Sequence, residues 1–171
     1  MSRRITDELR DVTQALLNLL RSFDAAEFNA VPEEGGWTAA QVAEHLRLSA
    51  QSILRSVYAP GVVTDRLPDA NVETLRRIFD NDEQRLNAPE IAMPAREWYD
   101  QKTLLRLLKN DLNKLIEADN SLRILETCTY AELPFFEGYT RFELMHFVVY
   151  HTRRHIRQLK KIRIKSRQTA G

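Results

Sequence analysis

Apolar residues recur at intervals of three and four along several long stretches of the chain, which is the pattern of amphipathic helices. The first stretch covers residues 3–22, and the second covers 39–58. Thr38 and Gln41 form a capping box at the start of the second stretch, where each side chain can bind a main-chain N–H of the other. Trp37 precedes the cap and is expected to pack onto the helix. The pattern therefore predicts two long helices in the first third of the chain.

Three further helices are predicted in the rest of the chain. A shorter one covers residues 70–87, and a long one covers 100–118 with an aspartate at its capping position. After an irregular connection, Thr140 and Glu143 repeat the capping box at the start of a last helix over 141–164. The few prolines and glycines fall between these stretches. The prediction is an all-α protein, a four-helix bundle with one additional short helix.

Length and composition narrow the class of protein. With 171 residues the chain has room for one hydrophobic core, so we expect a single domain over residues 1–171. The 25 basic and 24 acidic side chains give a net charge of +1, which argues against nucleic acid as a partner. No stretch approaches the roughly 18 apolar residues of a membrane span, and no export signal follows Met1. We therefore expect a cytoplasmic protein that does not bind a membrane.

Two other features of the composition have ordinary explanations. The single cysteine, Cys128, lies in a Thr-Cys-Thr context with no neighbouring base, so we expect a partly buried and inert thiol. Basic residues are concentrated between positions 153 and 167. They would suit an acidic thiol cosubstrate or nucleic acid, but cations near a helix C-terminus also complement the helix dipole and solubilise an exposed face, and this second interpretation is preferred.

The candidate chemistry lies in the histidines. His151 and His155 are four residues apart in the last predicted helix, so their side chains project about 40° apart and their imidazoles can bind one ion. His45 lies on the apolar face of the second helix and is expected to point into the same interior. Each could instead be a hydrogen-bonded core histidine, but three inward imidazoles together favour a metal site. His146 projects about 140° from His151 and is assigned to packing. We call His45, His151 and His155 the histidine cluster.

Several neighbours could serve such a site. Three imidazoles leave a coordination position open, as in catalytic metal centres, and they accept nickel, zinc, iron or copper. Asp111 could orient an imidazole from another helix. Glu44 is a candidate base, but its side chain points about 100° away from that of the adjacent His45. A solvated or dimer-contact role is therefore preferred. Trp37 and Tyr150 are candidates for lining a pocket.

The segments 35–46 (GGWTAAQVAEHL) and 150–158 (YHTRRHIRQ) resemble the two signature blocks of the DinB/YfiT family. The resemblance extends over nearly the whole chain. It places the three-histidine site of that family on the histidine cluster, and Gln158 matches a glutamine commonly found one turn later. The resemblance implies a four-helix bundle with one divalent transition metal near one end of a cleft, with nickel or zinc among the known metals. It also implies a homodimer.

The resemblance does not fix a reaction. Relatives include thiol-dependent transferases and isomerases that use bacillithiol or mycothiol, and many members are described as metal-dependent hydrolases. Three functions therefore stay open for a small-molecule substrate. The metal could activate water for hydrolysis, it could favour the thiolate of a low-molecular-weight thiol for transfer, or the bundle could bind a metal or a small molecule without catalysis.

Overall fold

The structure is a computed structural model that describes residues 4–121 and 123–169. The helices of this part of the chain are α1 (Ile5–Arg21), α2 (Ala25–Asn29), α3 (Ala39–Tyr58), α4 (Val72–Asp80), α5 (Gln101–Ser121) and α6 (Arg141–Thr169). Two-residue strands, β1 (Gly61–Val62) and β2 (Thr127–Cys128), pair antiparallel. Short 3₁₀ turns occupy Glu90–Ala92 and Pro134–Phe136. The protein is all-α, as the sequence predicts.

The four long helices α1, α3, α5 and α6 form the bundle. Helices α1 and α3 each pack against both α5 and α6, while α4 packs on α6 and α2 packs on α3. The apolar stripe of each long helix faces the interior, where the largest fully buried aliphatic side chains include Leu9, Leu16, Ile53, Leu108, Leu115, Leu144 and Leu159. Burial of these stripes is the main stabilising contribution, and it holds α3 and α6 side by side. No helix of the described residues has the length and apolar character of a membrane span.

The predicted capping boxes fix the starts of the two helices that bear the histidine cluster. At α3, Gln41 N–H donates to Thr38 Oγ1 and Thr38 N–H donates to Gln41 Oε1, both at 3.0 Å. At α6, Thr140 N–H donates to Glu143 Oε2 at 2.9 Å, and the reverse bond is 3.2 Å long. The predicted bounds of α3 are confirmed, whereas α6 continues to Thr169 instead of ending at 164.

The predicted helix over 70–87 is wrong in its second half, because α4 ends at Asp80. The guanidinium of Arg154 on α6 donates to the main-chain carbonyls of Asn81 and Gln84, both at 2.5 Å. These carbonyls are therefore engaged by α6 instead of by the next turn of α4. The chain beyond Asp80 runs without regular structure to the turn at 90–92.

Helix α2 lies in a segment where the sequence pattern shows only a break. Its start is a capping box in which Glu27 N–H donates to Asp24 Oδ1 at 2.8 Å and Asp24 N–H donates to Glu27 Oε2 at 2.9 Å. The helix has five residues and buries Phe28 beneath α3. A single turn of this length has too few positions to show a helical period, so its cap is the only local signal.

Cys128 lies in β2 and is 5% exposed. Burial raises the pKa of its thiol to about 11, which favours the protonated thiol over the nucleophilic thiolate at neutral pH. The structure agrees with the expected burial of Cys128, and its inertness stays a prediction.

Candidate metal centre

Helices α3 and α6 bring three imidazoles together although His45 and His151 are far apart in sequence. His151 Nε2 lies 3.0 Å from His45 Nε2 and 3.0 Å from His155 Nε2. All three candidate ligand atoms lie within 4.8 Å of one another. His45 and His151 are buried and His155 is half-buried. The structure thus brings the predicted histidine cluster together at one point of the interior.

Hydrogen bonds on the far side of two rings fix their tautomers. His45 Nδ1 lies 2.8 Å from the carbonyl oxygen of Ala92, and His155 Nδ1 lies 2.7 Å from Oε1 of Gln158. An amide oxygen only accepts hydrogen bonds, so each Nδ1 must carry the proton and donate it. The Nε2 atoms of His45 and His155 are therefore left as lone pairs that face His151.

Burial keeps the cluster neutral. It is the main reason why the pKa of His155 is lowered to about 3 and the pKa of His151 lies well below its ordinary value. The neighbouring imidazoles lower both values further. Burial also lowers the pKa of His45, while the hydrogen bond to Ala92 opposes this effect. Neutral imidazole is the form that binds metals, so the donors are ready at pH 7.

The donor set fits a metal ion. The Nε2 atoms of His45 and His155 are deprotonated, and His151 Nε2–H can donate to only one of them. The Nε2 lone pair of the other ring is then left without a hydrogen-bond donor within the cluster. A cation between the three nitrogens satisfies all three lone pairs. Two nitrogens about 2.1 Å from one ion lie about 3.0 to 3.4 Å apart at ordinary bond angles, and the two 3.0 Å spacings that join His151 Nε2 to His45 and His155 agree with this.

The histidine cluster forms part of the wall of a cavity of about 1000 Å³. Trp37 also lines this cavity, and its ring centroid lies 4.9 Å from that of His45. Phe147 stacks on His151 at 4.9 Å, and Phe79 meets the same imidazole edge to face at 5.6 Å. The histidine cluster thus faces a concave, partly open space with an aromatic wall, which is the usual form of a small-molecule site.

The other sequence candidates lie elsewhere. Glu44 is buried, and both of its carboxylate oxygens accept bonds of 2.7 Å from Arg47, so the side chain is paired within α3 instead of solvated, while its predicted dimer-contact role stays a prediction. Asp111 lies 3.9 Å from Arg47 and 3.8 Å from Lys114, and neither contact involves an imidazole. The acceptors that orient the imidazoles are instead Ala92 and Gln158.

Two aromatic side chains of α6, Tyr150 and His146, also lie away from the histidine cluster. Tyr150 is 6% exposed, stacks on His146 with ring centroids 5.6 Å apart, and is not among the residues that line the cavity. His146 lies between the rings of Phe142 and Tyr150 and is 8% exposed. Among the described residues no hydrogen-bond partner reaches its Nδ1. His146 therefore packs in the core, as its helical position predicts.

A family model described as the DinB superfamily matches residues 8–159, a range that contains all three residues of the histidine cluster. Comparisons with curated proteins and with solved structures found no significant match.

Proposed function

The chain belongs to the DinB superfamily, and we propose that it binds one divalent transition-metal ion, nickel or zinc, at the histidine cluster and transfers a low-molecular-weight thiol to a small electrophile. One observation supports this proposal above all others. Three neutral imidazole nitrogens converge at the wall of a cavity large enough for two small molecules. His45, His151 and His155 would hold the ion and leave a coordination position open toward the cavity.

When bound, the ion supplies positive charge that favours the thiolate form of a thiol at neutral pH. The thiol proton leaves to solvent, and the sulfur electron pair then forms the bond to an electrophilic carbon. The leaving group departs with the electron pair of the bond that breaks, and where the electrophile has no leaving group the displaced electron pair takes up a proton from solvent. The aromatic wall formed by Phe79 and Phe147 would hold the electrophile beside the cluster and exclude water from it.

The acid–base groups of the cavity favour transfer over hydrolysis. A hydrolase would usually need a general base near the metal. Asp82 is the one carboxylate among the described residues that line the cavity. It accepts a bond of 2.9 Å from Arg157 and lies 3.6 Å from Lys161, and these cations lower its pKa. A carboxylate held in this way is a poor proton acceptor, whereas thiolate transfer requires no base.

The proposal is tested by loading the protein with nickel or zinc and measuring the conjugation of 1-chloro-2,4-dinitrobenzene with a panel of thiols. The panel contains cysteine, coenzyme A, glutathione, bacillithiol and mycothiol. We expect thioether formation that requires both metal and thiol, is lost in His155→Gln, and is retained in His146→Gln. The second variant is the matched control, because it removes a buried histidine of the same helix that lies outside the cluster.

The hydrolysis of 4-nitrophenyl acetate without thiol is measured on the same samples. Ester turnover that requires metal but no thiol would overturn the transferase proposal in favour of a hydrolase. A metal-loaded protein that is inert in both assays would favour a bundle that binds a metal or a small molecule without catalysis.

A further inference from the structure

We propose that the cavity beside the histidine cluster binds an organic anion, a molecule with an apolar ring-sized body and one negatively charged group, and that Arg85 recognises the charge. Within the proposed function, this anion would be the electrophile of thiol transfer, and only that assignment rests on the proposed function. The binding itself requires neither metal nor turnover. Three observations carry it: the charges of the lining residues, the free guanidinium of Arg85, and the aromatic wall.

The charged groups that line the cavity are mostly positive. They are three cations, Arg85, Arg154 and Lys161, and one carboxylate, Asp82. Asp82 is already paired with Lys161 and with Arg157, a residue outside the lining. Arg154 donates to two main-chain carbonyls, which are neutral, and no carboxylate of the described residues forms an ion pair with it. The cavity therefore favours a negatively charged ligand, before any ion at the cluster adds to the effect.

Arg85 is the cation available to such a ligand. Its side chain is exposed, and it forms no hydrogen bond or ion pair within residues 4–121 and 123–169. It lies in the irregular segment between α4 and α5, so the helix-dipole explanation that suits the basic residues of α6 does not apply to it. A guanidinium presents paired N–H donors that match a carboxylate or sulfonate.

The apolar part of the cavity defines the rest of the ligand. Phe147 meets Phe79 at 5.2 Å and Phe136 at 4.6 Å between ring centroids, both edge to face. The three rings form one wall of the cavity next to His151. Aromatic walls of this kind bind flat or branched apolar groups through ring contacts. A ligand body of similar size would thus lie against the cluster.

The mouth of the cavity combines both properties. Phe135, Met93 and Leu86 line the cavity and are 58%, 45% and 38% exposed, respectively. Leu86 is the neighbour of Arg85 in sequence, so an apolar edge and a free cation lie together in the same segment. A purely apolar ligand would leave the cation unused, and a small inorganic anion would leave the apolar surface exposed. An organic anion uses both.

The experiment compares 4-phenylbutyrate with 4-phenylbutanol, two ligands with the same apolar body, by calorimetric titration of the metal-loaded protein. We expect the carboxylate to bind about five-fold more tightly than the alcohol, as one partly screened ion pair would give. In Arg85→Gln the preference should fall below about two-fold through weaker binding of the carboxylate alone. In Arg77→Gln it should persist, because Arg77 is exposed on α4 and does not line the cavity.

Three results of this titration would overturn the inference. Equal binding of the two ligands, or binding of neither, would show that the cavity does not select an aromatic anion. A preference that survives in Arg85→Gln would assign recognition of the charge to the metal or to another cation. Repeating the titration on His155→Gln tests the anion site separately from the proposed function. A preference that persists there supports the anion site even if the protein binds no metal and transfers no thiol.

Discussion

At the scale of single residues, the hydrogen bonds on the Nδ1 side of the imidazoles decide what the Nε2 side can bind. Ala92 and Gln158 each accept a hydrogen bond from the Nδ1–H of one ring and thereby direct the Nε2 lone pair of that ring into the cluster. Such outer contacts fix the ring orientation and increase the basicity of a metal-binding imidazole. Gln158 is the one of the two that a substitution can remove.

Replacing Gln158 by methionine should weaken metal binding about ten-fold or more, because His155 loses the acceptor that holds its tautomer. The measurement is a competition titration of nickel or zinc against a coloured chelator. Gln84→Met is the matched control, since Gln84 lines the cavity but accepts its bond from Arg154 through its main-chain carbonyl. Equal metal affinities of wild type and Gln158→Met would contradict this role.

The lowered pKa values predict a specific dependence of stability on pH in the metal-free protein. His155 has a pKa of about 3 when folded and about 6.5 when unfolded, so between these values the unfolded state binds more protons. The free energy of unfolding should therefore fall as the pH falls below about 6.5, by at most about 1.4 kcal/mol per pH unit for this histidine. Urea unfolding of the wild type and of His155→Gln between about pH 7 and pH 5 tests this. The variant should show the shallower dependence, and parallel curves would refute it.

The sequence predicts the histidine cluster at the residue scale but not its orienting partners. The spacing of His151 and His155, together with the inward face of His45, depends only on helical geometry, and the structure has the three rings together. The acceptor of the hydrogen bond from His45 is the main-chain carbonyl of Ala92. Every residue has a main-chain carbonyl, so the sequence gives no signal for this one. The carboxylate of Asp111 has the right chemistry to orient an imidazole, but it lies beside Arg47 instead.

At the scale of helices and loops, local signals fix the starts of helices and tertiary contacts fix some of their ends. The capping box at Thr38 sets the start of α3 as predicted. Helix α4 ends early because Arg154 and Arg157 on α6 bind main-chain carbonyls at and beyond its last turn. The sequence of residues 81–87 gives no indication of those distant cations, so local periodicity alone predicts a helix that is too long.

Glu143 connects the start of α6 to the loop before α4. It is fully buried and accepts bonds from Arg66, from Asn71 N–H and from Thr140 N–H. Replacing it by alanine should lower the free energy of unfolding by about 3 kcal/mol, because Arg66 and the main-chain donors lose their partner. Chemical denaturation measures this effect.

Glu73→Ala is the matched control for that measurement. Glu73 also binds an arginine through both oxygens, but the pair with Arg76 lies on the surface of α4. Exposed ion pairs contribute little to stability, so this variant should unfold close to the wild type. Similar losses for the two glutamates would show that burial does not set the contribution of Glu143.

At the scale of the whole molecule, the packing of α3 against α6 creates the site. The helix pattern predicts that the three imidazoles face the interior, but the contact between these two helices depends on the complete bundle. The cavity is further bounded by the loop 82–89 and by residues 133–139, which contain a single 3₁₀ turn, and neither segment has a periodicity from which its position could be predicted. The bundle and the convergence of the three histidines were therefore predictable, whereas the shape and charge of the cavity were not.

The central claim is that the histidine cluster binds one metal ion. Elemental analysis of the purified, tag-free protein tests it most directly, beside a His151→Ala, His155→Ala double variant and a His146→Ala control. We predict about one transition-metal ion per chain in the wild type and in the control, and none in the double variant. A wild type that is free of metal and takes up neither added nickel nor added zinc would contradict the account.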